Sequence, residues 1–187
     1  AEFWEYNTGR RFWTYDGTNW VKVSPGSRLI QVSRTKALIG GAYTAEDVLS
    51  ESATNAVGTS WIFSDVVPEN GGSGVIEGAF VVSETTAIIP VLTLFLFNAT
   101  PTCELDDNAA NTAPIHADIA NNVGQIFLEA MRDLGSGDSV AVPYKNMPLP
   151  FVCASADNDL YGVLVTETAF TQGAGDDMTV FLLVRPD

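Results

Sequence analysis

The 187-residue chain has one histidine, two cysteines and nine basic residues against 23 acidic ones, and each shortage removes a class of function. His116 is the only imidazole, in a loop-like stretch after Pro114 and Ile115, whereas histidine-based zinc or iron sites draw on two or more histidines or several cysteines. Cys103 and Cys153 have no CxxC or metal-ligand spacing, and each lies beside an apolar strand, so they read as buried free thiols rather than a disulfide. No Gly-x-Ser-x-Gly elbow is present. The Gly71-Gly72-Ser73-Gly74 loop leads into a strand without a Gly-Lys-Ser/Thr ending, which excludes a phosphate loop. No stretch reads as a signal peptide or a membrane span, so secretion through a signal peptide is not supported. No catalytic residue, metal site or cofactor is therefore expected, and the chain is not read as an enzyme.

Basic residues are few and concentrated. Residues 1–36 hold Arg10, Arg11, Lys22, Arg28, Arg34 and Lys36 against three acids, a charge of +3, while residues 37–187 carry −17 of the total −14. Such a body repels nucleic acid and anionic membranes, because phosphate binding is carried by Lys and Arg. The basic segment instead suits an acidic protein surface, including that of a neighbouring copy. Solubility alone is the other reading of the charge.

What the chain does have is apolar sequence in short runs, with 46% hydrophobic residues and 16 glycines. Ala87 to Phe97 (AIIPVLTLFLF) is the most apolar, and its β-branched and aromatic content marks a central strand. Pro90 fits the strand's first residue or a bulge. Leu92, Leu94 and Leu96 then share one face and Val91, Thr93, Phe95 and Phe97 the other, so both faces need cover. Further strands are expected at Trp61 to Phe63, at Val75 to Val82 as an antiparallel neighbour of the central run, and at Gln125 to Ala130. Leu160 to Thr166 and Met178 to Val184 close the set, with a proline-bearing edge strand at 148–152. A short helix is expected over 118–123, with Asp118 at its N-cap or in its first turn. About eight short strands with long loops make the chain all-β, an antiparallel β-sandwich whose expected form is a jelly roll of two four-stranded sheets. The acidic groups at 104–107, 157–159 and 176–177 read as solvated or capping loop residues, with calcium binding or paired-carboxylate hydrolysis as alternatives.

The first 23 residues contain a near-repeat, Phe-Trp-Glu-Tyr-Asn-Thr-Gly at 3–9 and Phe-Trp-Thr-Tyr-Asp-Gly-Thr at 12–18. Each copy sets three aromatics before a turn, which predicts a meander of strands 3–6, 11–15 and 20–23. A sheet of that size is marginal in water, so it needs the body, another copy or a partner to cover it. Residues 24–27 break the chain, and 28–36 read as an extended linker, which divides it into an arm of residues 1–36 and a sandwich of 37–187. Trp4, Tyr6, Arg10, Arg11, Phe12, Trp13, Tyr15, Trp20, Arg28 and Arg34 are the expected partner-binding residues.

With these elements placed, the body resembles the cement or decoration proteins of tailed-bacteriophage capsids. The residues that carry the resemblance are Tyr43-Thr44-Ala45 with Asp47-Val48, Gly72-Ser73-Gly74-Val75-Ile76, and Leu92 to Phe97 followed by Pro101. It continues through Asp107-Asn108-Ala109, Ala117-Asp118, Leu149-Pro150-Phe151 and Leu160 to Val165. The resemblance implies a jelly-roll virion protein, often trimeric, that binds the major capsid protein on the capsid surface, where subunits meet, and resists internal pressure. The Trp-Thr-Tyr-Asp-Gly-Thr-Asn-Trp wording of residues 13–20 is also similar to short repeats in phage fibres. A carbohydrate-binding module or fibre receptor-binding domain, with Trp4, Trp13, Tyr15 and Trp20 stacking on sugars, is the alternative. A β-sandwich hydrolase using Asp107 or Asp159 is the third reading.

Overall fold

The computed structural model describes residues 29–51, 58–133, 135, 137–143 and 147–187 with their side chains, and residues 2–5, 10–13, 21–23, 144 and 145 by their backbone. The chain is all-β and antiparallel. Strands β1 (Glu2–Glu5), β2 (Arg10–Trp13) and β3 (Val21–Val23) form a three-stranded sheet in that order, the expected meander. The chain continues through β4 (Ile30–Ala37), β5 (Gly41–Tyr43), β6 (Val48–Leu49), β7 (Trp61–Phe63), β8 (Ser73–Ser83) and β9 (Leu92–Phe97). After a 3₁₀ helix (His116–Asn121) come β10 (Asn122–Leu128), β11 (Arg132–Asp133), β12 (Ser139–Ala141) and β13 (Pro143–Lys145). The last strands are β14 (Leu149–Val152), β15 (Leu160–Thr166), β16 (Phe170–Gln172) and β17 (Asp177–Pro186).

Two sheets of six strands make the sandwich. The first runs β13-β10-β9-β15-β6, with β7 also on β15; the second runs β11-β12-β8-β17-β4, with β14 also on β8. Each sheet exceeds the expected four strands because segments of two or three residues extend or share its edges. β5 and β16 pair separately.

Two expectations are corrected. Within the expected linker of 28–36, residues 30–36 are a paired strand instead: β4 pairs with β17 along its whole length, from Ala37 opposite Asp177 to Ile30 opposite Val184. The alternation that begins at Ile30 and Val32 simply continues through Arg34 and Lys36. Nor are β8 and β9 neighbours, since β8 pairs with β17, β12 and β14, and β9 pairs with β10 and β15. Residues 84–91, with Ala87 at φ +58°, carry the chain from one sheet to the other instead of turning a hairpin.

The core lies between the sheets. Leu92, Leu94 and Leu96 of β9, Ile126 and Leu128 of β10, and Leu160 and Leu164 of β15 face Ile76 and Val81 of β8 and Met178, Val180, Leu182 and Val184 of β17, all fully or nearly fully buried. Each large apolar side chain removed from water contributes roughly 1.5–3 kcal/mol. The opposite face of the first sheet is covered as well. Val48, Phe97, Val163 and Val165 are buried there against Cys103 and Ala113 of the loop 98–115, with Leu105 and Ile115 packed beside them. The strand β9 is thus buried on both faces, as its sequence requires.

Asp118 holds that covering loop in place. It lies in the first turn of the 3₁₀ helix, whose N-cap position is Ile115 with no side-chain cap. Its carboxylate, only 2% exposed, accepts from the Thr102 N–H at 2.9 and 3.0 Å, the Thr102 hydroxyl at 2.8 Å and the Cys103 N–H at 3.0 Å. Asp118→Ala strands these buried donors and is expected to lower stability by about 2–4 kcal/mol. In urea titration with hydrogen exchange, protection should fall across residues 102–115 more than in β17; equal loss in both would contradict the tie.

Candidate functional site

The predicted partner-binding residues divide into three groups. Trp4 lies on β1, and Arg10, Arg11, Phe12 and Trp13 on β2; Trp4 stands opposite Arg11, and Trp13 stands opposite Glu2 and Val21. Directly opposed residues share a face, so by register Glu2, Trp4, Arg11, Trp13, Val21 and Val23 belong to one face of the meander. Tyr6, Tyr15, Trp20 and Arg28 lie outside the described residues. Arg34 is exposed on β4, opposite Val180.

Lys36, counted with the basic arm in the sequence, directs its charge inward. The residue is 3% exposed. Its ammonium pairs with Glu51, donates to the Thr59 carbonyl and to Thr59 Oγ1 at 3.0 Å, and stands 5.3 Å from the Trp61 ring centroid. Three acceptors match its three N–H groups. Burial lowers its pKa from the ordinary lysine value, with the Glu51 carboxylate opposing. Nearby, Asp107 accepts from the Tyr43 hydroxyl at 2.9 and 3.1 Å and from the Ser50 N–H at 2.7 Å. Burial raises the Asp107 carboxyl against these bonds, and burial together with Asp107 raises the Tyr43 phenol well above the ordinary tyrosine range. Trp61 Nε1 donates to the Leu49 carbonyl at 2.9 Å. This cluster ties β4 at the edge of the second sheet to β6 and β7 of the first, and its hydrogen bonds are spent on structure. Asp107 clamps β5 to the segment after β6 through its bonds to Tyr43 and Ser50.

The other acidic groups act as turn ties. Asp157 accepts from the Tyr161 hydroxyl at 2.5 Å and from the N–H groups of Asn158 and Asp159 at 2.8 and 3.1 Å. The Tyr161 bond holds the Asp157 carboxyl below its usual value, and the same bond pushes the Tyr161 phenol up to about 12. Asp159 accepts from the Asp65 N–H at 2.9 Å, and Asp176 from the Thr85 hydroxyl at 2.7 Å. Among the described residues no group of three or more His, Cys, Asp or Glu side chains could hold a metal ion. His116 is exposed at the start of the 3₁₀ helix.

The surface that stands out is the outer face of the second sheet. Its centre is Phe80 opposite Phe181, rings stacked with centroids 4.3 Å apart and 9° between planes. Around them lie Val75 and Val82 of β8, Leu183 of β17 and Val140 of β12, all half-buried, with Pro150 and the 57% exposed Val152 of β14 beyond. Leu183 lies across Gly78, where a Cβ would come within 3.1 Å of it. The charges on this face are the paired Glu77 and Arg185, 2.7 Å apart, and Arg132 toward one edge. An antiparallel sheet facing water alternates apolar with polar residues. On β8 and β17 the outer row is apolar in its middle, at Phe80, Val82, Phe181 and Leu183, and polar toward its ends, at Thr179, Glu77 and Arg185, while β4 presents a polar outer row throughout, Gln31, Ser33 and Thr35. The sequence carried that signal in the consecutive apolar residues Ala79 to Val82 and Val180 to Val184, which leave no polar position to face water.

Cys103 and Cys153 are buried free thiols, pushed up to about 11 chiefly by burial. Both should stay unreactive toward an aromatic disulfide reagent at pH 8 and react together once guanidinium unfolds the chain. Because their folded values lie above the ordinary one, they oppose folding as pH rises from about 9 toward 11. For the Lys36 cluster, Glu51→Ala leaves a buried ammonium without its counter-charge and should cost about 1–3 kcal/mol in chemical denaturation. Lys36→Met should cost less, since the freed Glu51 side chain is 30% exposed and hydrates. The reverse order would contradict the cluster's assignment. No protein-family model, no curated protein and no solved structure matches the chain, so these surfaces and clusters are what a functional reading draws on.

Proposed function

We propose that the chain is a non-enzymatic structural protein of a virion, a cement protein that binds the major capsid protein on the capsid surface of a tailed phage and works as an oligomer. The observation that supports this reading most is the apolar outer face around Phe80 and Phe181. A contiguous apolar sheet face on a body that is otherwise strongly acidic suits a protein partner. The arm supplies a second contact, aromatic and basic at Trp4, Arg10, Arg11, Phe12 and Trp13, with Arg34 at the sandwich edge.

The strand order supports the jelly-roll part of the reading. Counted as eight main strands (β4, β6 with β7, β8, β9, β10, β14, β15 and β17), one sheet runs first, eighth, third, sixth and the other second, seventh, fourth, fifth. Jelly rolls of that kind are frequent in viral capsids and also in lectins, and fold by itself does not decide between them.

The full chain should cosediment with undecorated capsid shells of the phage whose genome encodes it. Arg10→Glu with Arg11→Glu should weaken that binding by about tenfold or more, about 1.4 kcal/mol, with the fold unchanged by circular dichroism. Absence of binding to those shells would overturn the proposal. Saturable binding on a glycan array, lost in Trp13→Ala, would transfer the function to sugar recognition.

A further inference from the structure

We infer that Lys36 and Glu51 join through an intramolecular amide that the folded chain forms by itself, with the Thr59 hydroxyl as proton relay. The bond would staple β4 of the second sheet to the segment that follows β6 of the first. It does not depend on the capsid reading, and the ion pair is the state before it closes.

The choice of residue is the first clue. Lys36 is one of three lysines in the chain, and among the described residues the other two ion pairs, Arg132 with Glu129 and Arg185 with Glu77, use arginine. Arginine also suits a buried pair better, because its guanidinium is more weakly hydrated than an ammonium. What lysine offers instead is an amine that can lose its proton and act as a nucleophile. The surroundings present that amine to a single carboxyl. Glu51 Oε2 is shielded from solvent and meets Lys36 Nζ, while the Thr59 carbonyl accepts from the ammonium and the Trp61 ring lies 5.3 Å away. Thr59 Oγ1 accepts from Lys36 Nζ at 3.0 Å, and its hydroxyl donates to Glu51 Oε1. One hydroxyl thus bridges the nucleophile and the second oxygen of the carboxyl it would attack.

The reaction needs no co-reactant. A proton passes from Nζ to Glu51 Oε2 and leaves a neutral amine, a transfer favoured by the burial that lowers the lysine pKa. The Nζ lone pair bonds to Cδ, and the π pair of the Cδ–Oε1 bond moves onto Oε1. Thr59 takes a second proton from Nζ and gives its own to Oε1. The Cδ–Oε2 bond then breaks: Oε2 keeps the bond pair, takes the proton released by Oε1 and leaves as water, while Oε1 reforms the carbonyl. One ammonium proton stays on the amide and two leave in the water, with nothing oxidised or reduced. In water the separate ions are favoured because both are hydrated. Here the ammonium is buried, so amide formation removes the cost of keeping its charge out of solvent. Reacting groups held in productive contact reach effective molarities of about 10⁵–10⁸ M.

Intact mass spectrometry of the full chain, unfolded in acid, tests the bond. The natural chain should be lighter than its sequence by one water. Digestion with trypsin and a protease that cuts before aspartate should release residues 35–46 still joined to 47–64, because acylated Lys36 resists trypsin and the amide spans the cut at Asp47. Lys36→Arg keeps the positive charge without the nucleophile and should show its full sequence mass, as should Glu51→Ala. Thr59→Val should leave most of the chain unlinked, and Thr59→Ser should restore the link. Glu51→Ala and Lys36→Met lose the bond alike, so the difference in their stabilities still reports the charge left behind. Full sequence mass in the natural chain would overturn the inference, whatever the variants do. So would a missing water that persists in Lys36→Arg, since it would have left from another site. Linkage in folded Thr59→Val equal to that of the natural chain would overturn the relay.

Discussion

The burial of β9 on both faces is the constraint on which the rest depends. A strand reading Leu-Thr-Leu-Phe-Leu-Phe leaves no side for water, so the chain must supply two layers. The second sheet covers the leucines, and the loop after β9 returns over the phenylalanines. That loop is polar overall, yet it sets Cys103, Leu105, Ala113 and Ile115 against Phe97, Val163 and Val165. The same stretch closes the sheet's edge: the Val48 N–H donates to the Ala109 carbonyl and the Asn108 N–H to the Val48 carbonyl, each at 2.9 Å. With Asp118 tying the loop's start to the 3₁₀ helix at its end, one face and one edge of the first sheet are finished within a single chain.

The second sheet is finished on one side only. Its inner face completes the core, while its outer face has an apolar centre that no loop covers among the described residues. The two sheets therefore differ in kind: one is sealed by its own chain, and the other presents Phe80, Phe181 and Leu183 outward. The ionisable groups are largely engaged in holding loops and edges, as Lys36 with Glu51 and Asp107 with Tyr43 illustrate.

Much of this was legible in the sequence where hydrophobic alternation and turn chemistry agreed. β15 begins and ends where its apolar run does, β17 extends the expected strand by a residue or two at each end, and the meander follows from its two turns. β4 was legible only at its start, in the strand-like alternation of Leu29-Ile30-Gln31-Val32, because Arg34 and Lys36 occupy inward positions where alternation calls for apolar residues. Arg34 reaches solvent at the sheet edge, and Lys36 finds its partner fifteen residues later, a pairing that no local pattern encodes. The crossing from β8 to β9 was hidden because Ser83-Glu84-Thr85 has the composition of a hairpin turn. The apolar outer face was visible in principle in the runs Ala79 to Val82 and Val180 to Val184, but which layer covers which face is decided by topology.

Residue-resolved carbene footprinting of the full chain, at high and at low protein concentration, tests the difference between the two sheets most directly. The account predicts that Phe97 and Val163 resist labelling at both concentrations, whereas Phe80, Phe181 and Leu183 label clearly in the dilute chain. Labelling of Phe97 as heavy as that of Phe181 would contradict it.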